Sequence, residues 1–226
     1  MMNKISLSIA ATVLMTLSPW AYAQSDGASL VTVIIVLIGI VMLPVAILYS
    51  IFLTLVVRKK TAECEHLMER ASGRDKFWDF QSMKGRIELT FYAIQEAWDQ
   101  RNKTMLRAYM SEHLYRRFKM EMLEKVVLDK RKTFEQAHLE EAKIVEVLDF
   151  ADDAKDTFWV LISGTRVEYS LHPSDGSRKF NEATRHGFEE LWRFVRAEHG
   201  WVLDEIDHNV SLGDLTRLNS QYEEVA

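Results

Sequence analysis

Phe188-Glu189-Glu190-Leu191-Trp192-Arg193-Phe194-Val195-Arg196 decides how the C-terminal half of this chain folds. Side chains along a strand alternate between its two faces, so Phe188, Glu190, Trp192, Phe194 and Arg196 share one side. Aromatic residues spaced in this way more often form the core of a sheet than the wall of a ligand site. The stretch reads as a strand over 185–196, and 201–207, with Trp201, Leu203 and Ile206, returns beside it across His199-Gly200. Upstream, 143–150 and 157–163 are rich in β-branched and aromatic residues and are separated by a turn-like 151–156. Strand character continues over 165–172, ahead of a clear loop at 173–177. The pattern predicts a four-strand meander.

Before the strands the period changes. Ile87, Phe91, Ile94 and Trp98 recur at helical spacing with Leu89 and Tyr92 beside them, which predicts an amphipathic helix over 85–99. A polar connection at 99–103 leads to a second helix carrying Leu106, Tyr109 and Met110. A third, opened by Ser111, aligns Leu114, Phe118, Met122 and Val126. Helices followed by a run of strands indicate the α+β class.

Charge divides the chain sharply. Residues 1–57 carry only Lys4 and Asp26, so the formal net charge of −5 belongs to residues 58–226. Residues 1–23 have the parts of a secretory signal peptide: Lys4, an apolar run over 5–17, and Ala21-Tyr22-Ala23 as a small-x-small cleavage site. After a short external segment at 24–29, residues 30–57 contain no charge. At about 1.5 Å per residue they exceed a hydrocarbon core of about 30 Å. Tilt, or a bend at Pro44, absorbs the excess. Arg58, Lys59 and Lys60 come directly after, whereas the external segment has no Lys or Arg, and this asymmetry points the C-terminal region inward. The organisation read from the sequence is completed by a juxtamembrane linker or helix at 58–76, a domain at 77–210 and a short polar tail with helical potential at 211–226. The expected location is a bacterial inner membrane, crossed once, with the domain in the cytoplasm.

Composition narrows the function classes. The sequence pI near 5.8 argues against DNA binding, which needs a concentrated positive field. Cys64 is the one cysteine and has no partner in the chain, as suits a reducing compartment. Seven histidines show no metal-ligand spacing, and glycine-rich phosphate loops and Gly-x-Ser-x-Gly are absent from the sequence. Neither a metal nor a cofactor is expected.

The alternating strand motif, followed by Trp201 and preceded by Ile94-Gln95-x-Ala97-Trp98 and Leu106…Met110, resembles the Tim44-like domain of the NTF2-like superfamily over roughly residues 77–207. The resemblance implies a cone in which a curved antiparallel sheet wraps around helices and leaves an apolar pocket. It also implies a role at the inner face of an energy-transducing membrane, in the import, insertion or assembly of polypeptides. The long basic arm with which mitochondrial relatives recruit an import motor is replaced here by a signal, one crossing and a short linker, which puts chaperone tethering in doubt.

Two sets of residues carry the functional expectations. The first, Phe91, Ile94, Trp98, Trp159, Phe188, Glu190, Trp192, Phe194, Arg196 and Trp201, is a candidate pocket whose bland reading is core packing. Within it Glu190 is the carboxylate aimed inward. Without a partner it would neutralise and serve as an acid or base, whereas Arg166 or Arg196 would make it a structural ion pair. The second set, Arg58, Lys59, Lys60, Arg116, Arg117, Lys119, Lys130, Arg131 and Lys132, is a candidate surface for membrane lipid or a partner, although Glu121, Glu124 and Asp129 balance the helical cluster. The balance favours an interaction scaffold that docks a translocase, a ribosome or a membrane-complex subunit. The alternative is an NTF2-like enzyme or a small-molecule or lipid sensor built around Glu190.

Overall fold

A computed structural model describes residues 30–100, 104–127, 132–171 and 178–223. Compact units of Met1–Val57 and Arg58–Ala226 divide the chain. The signal-peptide reading, the 24–29 segment and the 173–177 loop lie outside the described residues.

Helix α1 covers Leu30–Ser72. Ile34–Ser72 contains a window of mean hydropathy 2.8, none of it buried, and is long and apolar enough to cross a membrane. Its large side chains, Ile35, Val41 and Leu48 among them, stand exposed, an arrangement that water penalises and lipid does not.

In the second unit α1 supplies more than a spacer. Cys64, Met68 and Ala71 recur at helical spacing and are buried in the hydrophobic core. The juxtamembrane segment, expected as a linker or a short helix, is helical through Ser72 and is packed into the core. A short 3-10 turn, Lys76–Trp78, is capped by Asp75 and inserts Trp78 into the same core. Helix α2, Phe80–Gln100, opens where the Asp79 carboxylate accepts from the Ser82 amide at 2.9 Å, and buries Met83, Ile87, Phe91 and Ile94 along one stripe. Helix α3, Glu112–Val127, is capped by Ser111, whose hydroxyl accepts from the Leu114 amide at 3.1 Å, and buries Leu114 and Phe118.

The second expected helix is a correction. Thr104–Ala108 forms only a 3-10 turn, because the next residues give their backbone to the sheet. The Leu203 amide donates to the Tyr109 carbonyl and the Ser111 amide to the Leu203 carbonyl, each at 2.8 Å.

Among the described residues four antiparallel strands complete the unit in the order β1 (Lys132–Leu148), β2 (Thr157–Leu171), β3 (Arg178–Ala197) and β4 (Gly200–Asp207). The fold is α+β, as its sequence pattern indicates. Strands β1 and β3 begin well before their expected starts. The early part of β1 hides its period because its pairing with β2 shifts register between Glu135 and His138 and again between Leu139 and Glu141, and each bulge flips the alternation. Gly164 on β2 sits opposite Phe188, and a Cβ there would come within 2.2 Å of the His138 carbonyl oxygen. This close approach requires glycine. At the β3–β4 turn Gly200 adopts φ 135°, a conformation that side chains disfavour.

The C-terminal residues, expected as a short polar tail with helical potential, carry a short helix and pack on the fold. Ser211 and Asp214 form a capping box at the start of α4, Leu212–Arg217, and Leu215 is buried. Beyond it the Gln221 amide donates to the Val147 carbonyl at 2.8 Å, which covers part of the β1 edge.

Candidate functional site

The inward face of β3 carries Phe188, Glu190, Trp192, Phe194 and Arg196, as its alternation requires. Its aromatic members fill the interior. Phe91 stacks on Phe188 at 6.1 Å and lies 5.9 Å from Trp192, while Phe158 stacks on Phe194 at 4.9 Å and meets the edge of Trp201 at 5.0 Å. Ile94 belongs to the same core. The side chains that would wall a pocket therefore pack against one another. Trp159 is a correction: Phe158 and Val160 take the inner face, so Trp159 is only partly buried and lies 5.6 Å from the Arg193 guanidinium. The side chain of Trp98 lies outside the described residues.

Glu190 is only 5% exposed and is not alone. Its carboxylate takes a hydrogen bond from Arg166 at 3.2 Å and another from the Trp192 indole at 2.9 Å, with His208 Nδ1 at 2.9 Å. Burial is the largest single influence and would raise its pKa. The hydrogen bonds to His208 and Trp192, with the charges of His208 and Arg166, outweigh it and hold Glu190 below the usual carboxylate range. A carboxylate so engaged at neutral pH is a poor proton donor. Of the two arginines considered as its partner, Arg166 occupies the position. No local pattern marks His208, which reaches Glu190 only because β4 ends beside β3.

Arg196 serves a different network. Its guanidinium donates to Asp156 at 2.9 Å and to Asp75, pairs with Asp153 at 3.0 Å, and lies over the Phe77 ring at 4.1 Å. Burial opposes its charge, but the hydrogen bonds to Asp156 and Asp75 prevail and raise its pKa. Asp156 is fully buried, and burial pushes its carboxyl upward while the Phe150 amide and Arg196 pull it down. With the guanidinium donating to it, the pair is ionised at neutral pH. Close by, Asp149 accepts from Arg74 at 2.9 Å and from the Trp78 indole at 3.2 Å. These partners were not legible in the sequence, because Asp75 comes from the turn after α1 and Asp153 and Asp156 from the β1–β2 hairpin.

The basic candidates separate into several environments. Arg58 and Lys59 are exposed, whereas Lys60 is half-buried and donates to the Leu218 carbonyl at 2.5 Å, so it ties α1 to the C-terminal segment. Arg116 pairs with Glu112 at 2.9 Å, and Arg117 and Lys119 are exposed beside exposed Met120. Lys130 and Arg131 lie outside the described residues, as does the side chain of Lys132, whose backbone opens β1. Among the described residues no group of His, Cys, Asp and Glu is arranged to hold a metal ion.

No protein-family model matches the chain, and no curated protein matches it. Among solved structures it is similar to the intermembrane space region of the chloroplast protein ARC6, with 12% sequence identity and a TM-score of 0.45 over 58% of this chain and 96% of that one.

Proposed function

We propose that this chain is a single-pass scaffold of a bacterial inner membrane, whose Tim44-like domain docks a partner protein at the cytoplasmic surface. The observation that carries the reading is the exposed, uncharged apolar stretch of α1 followed at once by exposed Arg58 and Lys59, with a compact α+β unit after them. Apolar side chains left in water are costly, and basic residues flanking a span stay on the inner side. Each Lys or Arg near an anionic surface adds roughly 1 kcal/mol of attraction, so Arg58 and Lys59 support that side of the membrane. Confinement to a membrane raises the effective concentration of a weak binder, and a docking domain needs only modest affinity. The interior supports docking over catalysis: its aromatic side chains contact one another, and Glu190 is held as a carboxylate by three partners.

Protease applied to intact spheroplasts should leave the region beyond Lys60 uncut until the membrane is permeabilised, and carbonate washing should leave the chain in the membrane fraction. Cleavage beyond Lys60 in intact spheroplasts would place the domain outside and remove the proposal. Crosslinking in those membranes should join the domain to a protein neighbour in the translocation, insertion or assembly machinery.

A further inference from the structure

Residues 218–223 leave the end of α4 and lie between two elements that are distant in the sequence. Towards α1, the Leu218 carbonyl accepts from Lys60, the Ser220 hydroxyl lies 3.5 Å from Cys64 Sγ, and the Tyr222 ring has the guanidinium groups of Arg70 and Arg74 at 4.4 and 4.6 Å. Towards β1, the Asn219 amide donates to the Glu146 carboxylate at 2.5 Å and the Ser220 hydroxyl accepts from the Val147 amide at 3.2 Å. Gln221 donates its amide to the Val147 carbonyl and accepts at its own carbonyl from the Asp149 amide. Glu223 ends the row, with its amide 3.4 Å from the Asp149 carboxylate and its side chain 3.5 Å from Arg74.

What holds this segment differs from what holds the sheet. Tyr222 packs against the core, but the other contacts just named are polar, and Asn219 and Gln221 are exposed. Water replaces such hydrogen bonds at little net cost, and ordering six residues opposes them. Closure also buries charge: Glu146 is only 7% exposed, and burial pushes its carboxyl upward, with the Asn219 amide and Lys60 opposing. Opening returns water to that carboxylate and leaves the stacked rings of Phe91, Phe188, Phe158 and Phe194 in place. The root of the segment is fixed, because Leu215 in α4 is buried. A short polar segment on a firm root belongs to the parts of a fold that open locally, at less than the cost of global unfolding.

We propose that residues 218–223 form a strap that opens as a unit on the folded domain, untying α1 from the sheet and baring the β1 edge at Val147 and Asp149. Closed, the strap seals that edge and lies over Cys64, whose thiol is fully buried and pushed up to about 11, chiefly by desolvation. Open, it frees the Val147 carbonyl and the Val147 and Asp149 amides, the groups with which a sheet edge accepts an extended segment.

The full chain in nanodiscs is followed by hydrogen exchange resolved to single amides. In the parent, the amides of Val147, Asp149 and Gln221 should exchange at least about tenfold faster than those of Phe158 to Ile162 on β2. Equal rates would mean that the segment leaves only when the sheet unfolds, and would overturn the proposal. Ser220→Cys supplies a lock, because it places a second sulfur where a hydroxyl lies 3.5 Å from Cys64 Sγ. With the bond between positions 64 and 220 formed, exchange at Val147 and Asp149 should slow at least about tenfold relative to the reduced variant, while the β2 amides change less than about twofold. Rates at Val147 and Asp149 that ignore the oxidation state would overturn the strap, and parallel slowing on β2 would do the same by assigning the effect to global stability. Failure of the bond to form under oxidant would overturn it as well, since position 220 would not rest on Cys64.

Discussion

Glu190 and Arg196 stand on the same face of β3 and both carry charge toward the core, yet they are stabilised in opposite ways. Around Glu190 one buried carboxylate is surrounded by donors, and Arg166 and His208 retain a path to solvent. Around Arg196 one cation holds several carboxylates, including the fully buried Asp156. Removing the centre of the first network leaves polar groups that water can partly solvate. Removing the centre of the second strands a carboxylate that water does not reach. Position on a strand therefore sets how deeply a charge is buried, while the cost of losing it depends on what the other elements bring.

Arg196 should be the most sensitive position. Arg196→Met should destabilise the full chain by about 3–5 kcal/mol in urea unfolding monitored in detergent micelles, because Asp156 and Asp75 lose their shared partner. A loss below about 1 kcal/mol would erase the contrast between the two networks. Next, Gly164→Ala should cost about 3 kcal/mol by the same measurement, since the added carbon meets the His138 carbonyl oxygen and the Phe188 ring at the Glu190 end of the sheet. Glu190→Gln should cost only about 1–2 kcal/mol at neutral pH, because the groups it leaves behind are partly solvated.

Acid sharpens the same distinction. The folded-state pKa of Glu190 lies below its unfolded value near 4.5, so its stabilisation is fully present above that pH and is lost as pH falls through the folded value. Asp156 has the opposite sign: burial raises its pKa above 3.8, so the stability linked to it declines as pH rises through that interval. Urea midpoints taken from pH 6 down to pH 3 should fall more steeply for the parent chain than for Glu190→Gln, and parallel curves would contradict the ion-pair account. Arg116→Ala, which breaks an exposed pair with Glu112, should change stability by no more than about 0.5 kcal/mol.

The elements legible along the chain are those whose signal is local and periodic. An uncharged run predicts a membrane-length helix, spacing along Ile87, Phe91 and Ile94 predicts the buried stripe of α2, and alternation from Phe188 to Arg196 predicts an inward face, because each pattern reports how one element divides itself between water and an apolar medium. The partners come from how the elements meet in three dimensions. Arg166 and His208 at Glu190, Asp75 and Asp156 at Arg196, the packing of Cys64 and Met68 into the core, and the seating of Gln221 on the β1 edge all join residues that no single element holds together. Such meetings depend on register, bulges and the paths of connecting segments, and no periodicity along the chain encodes them.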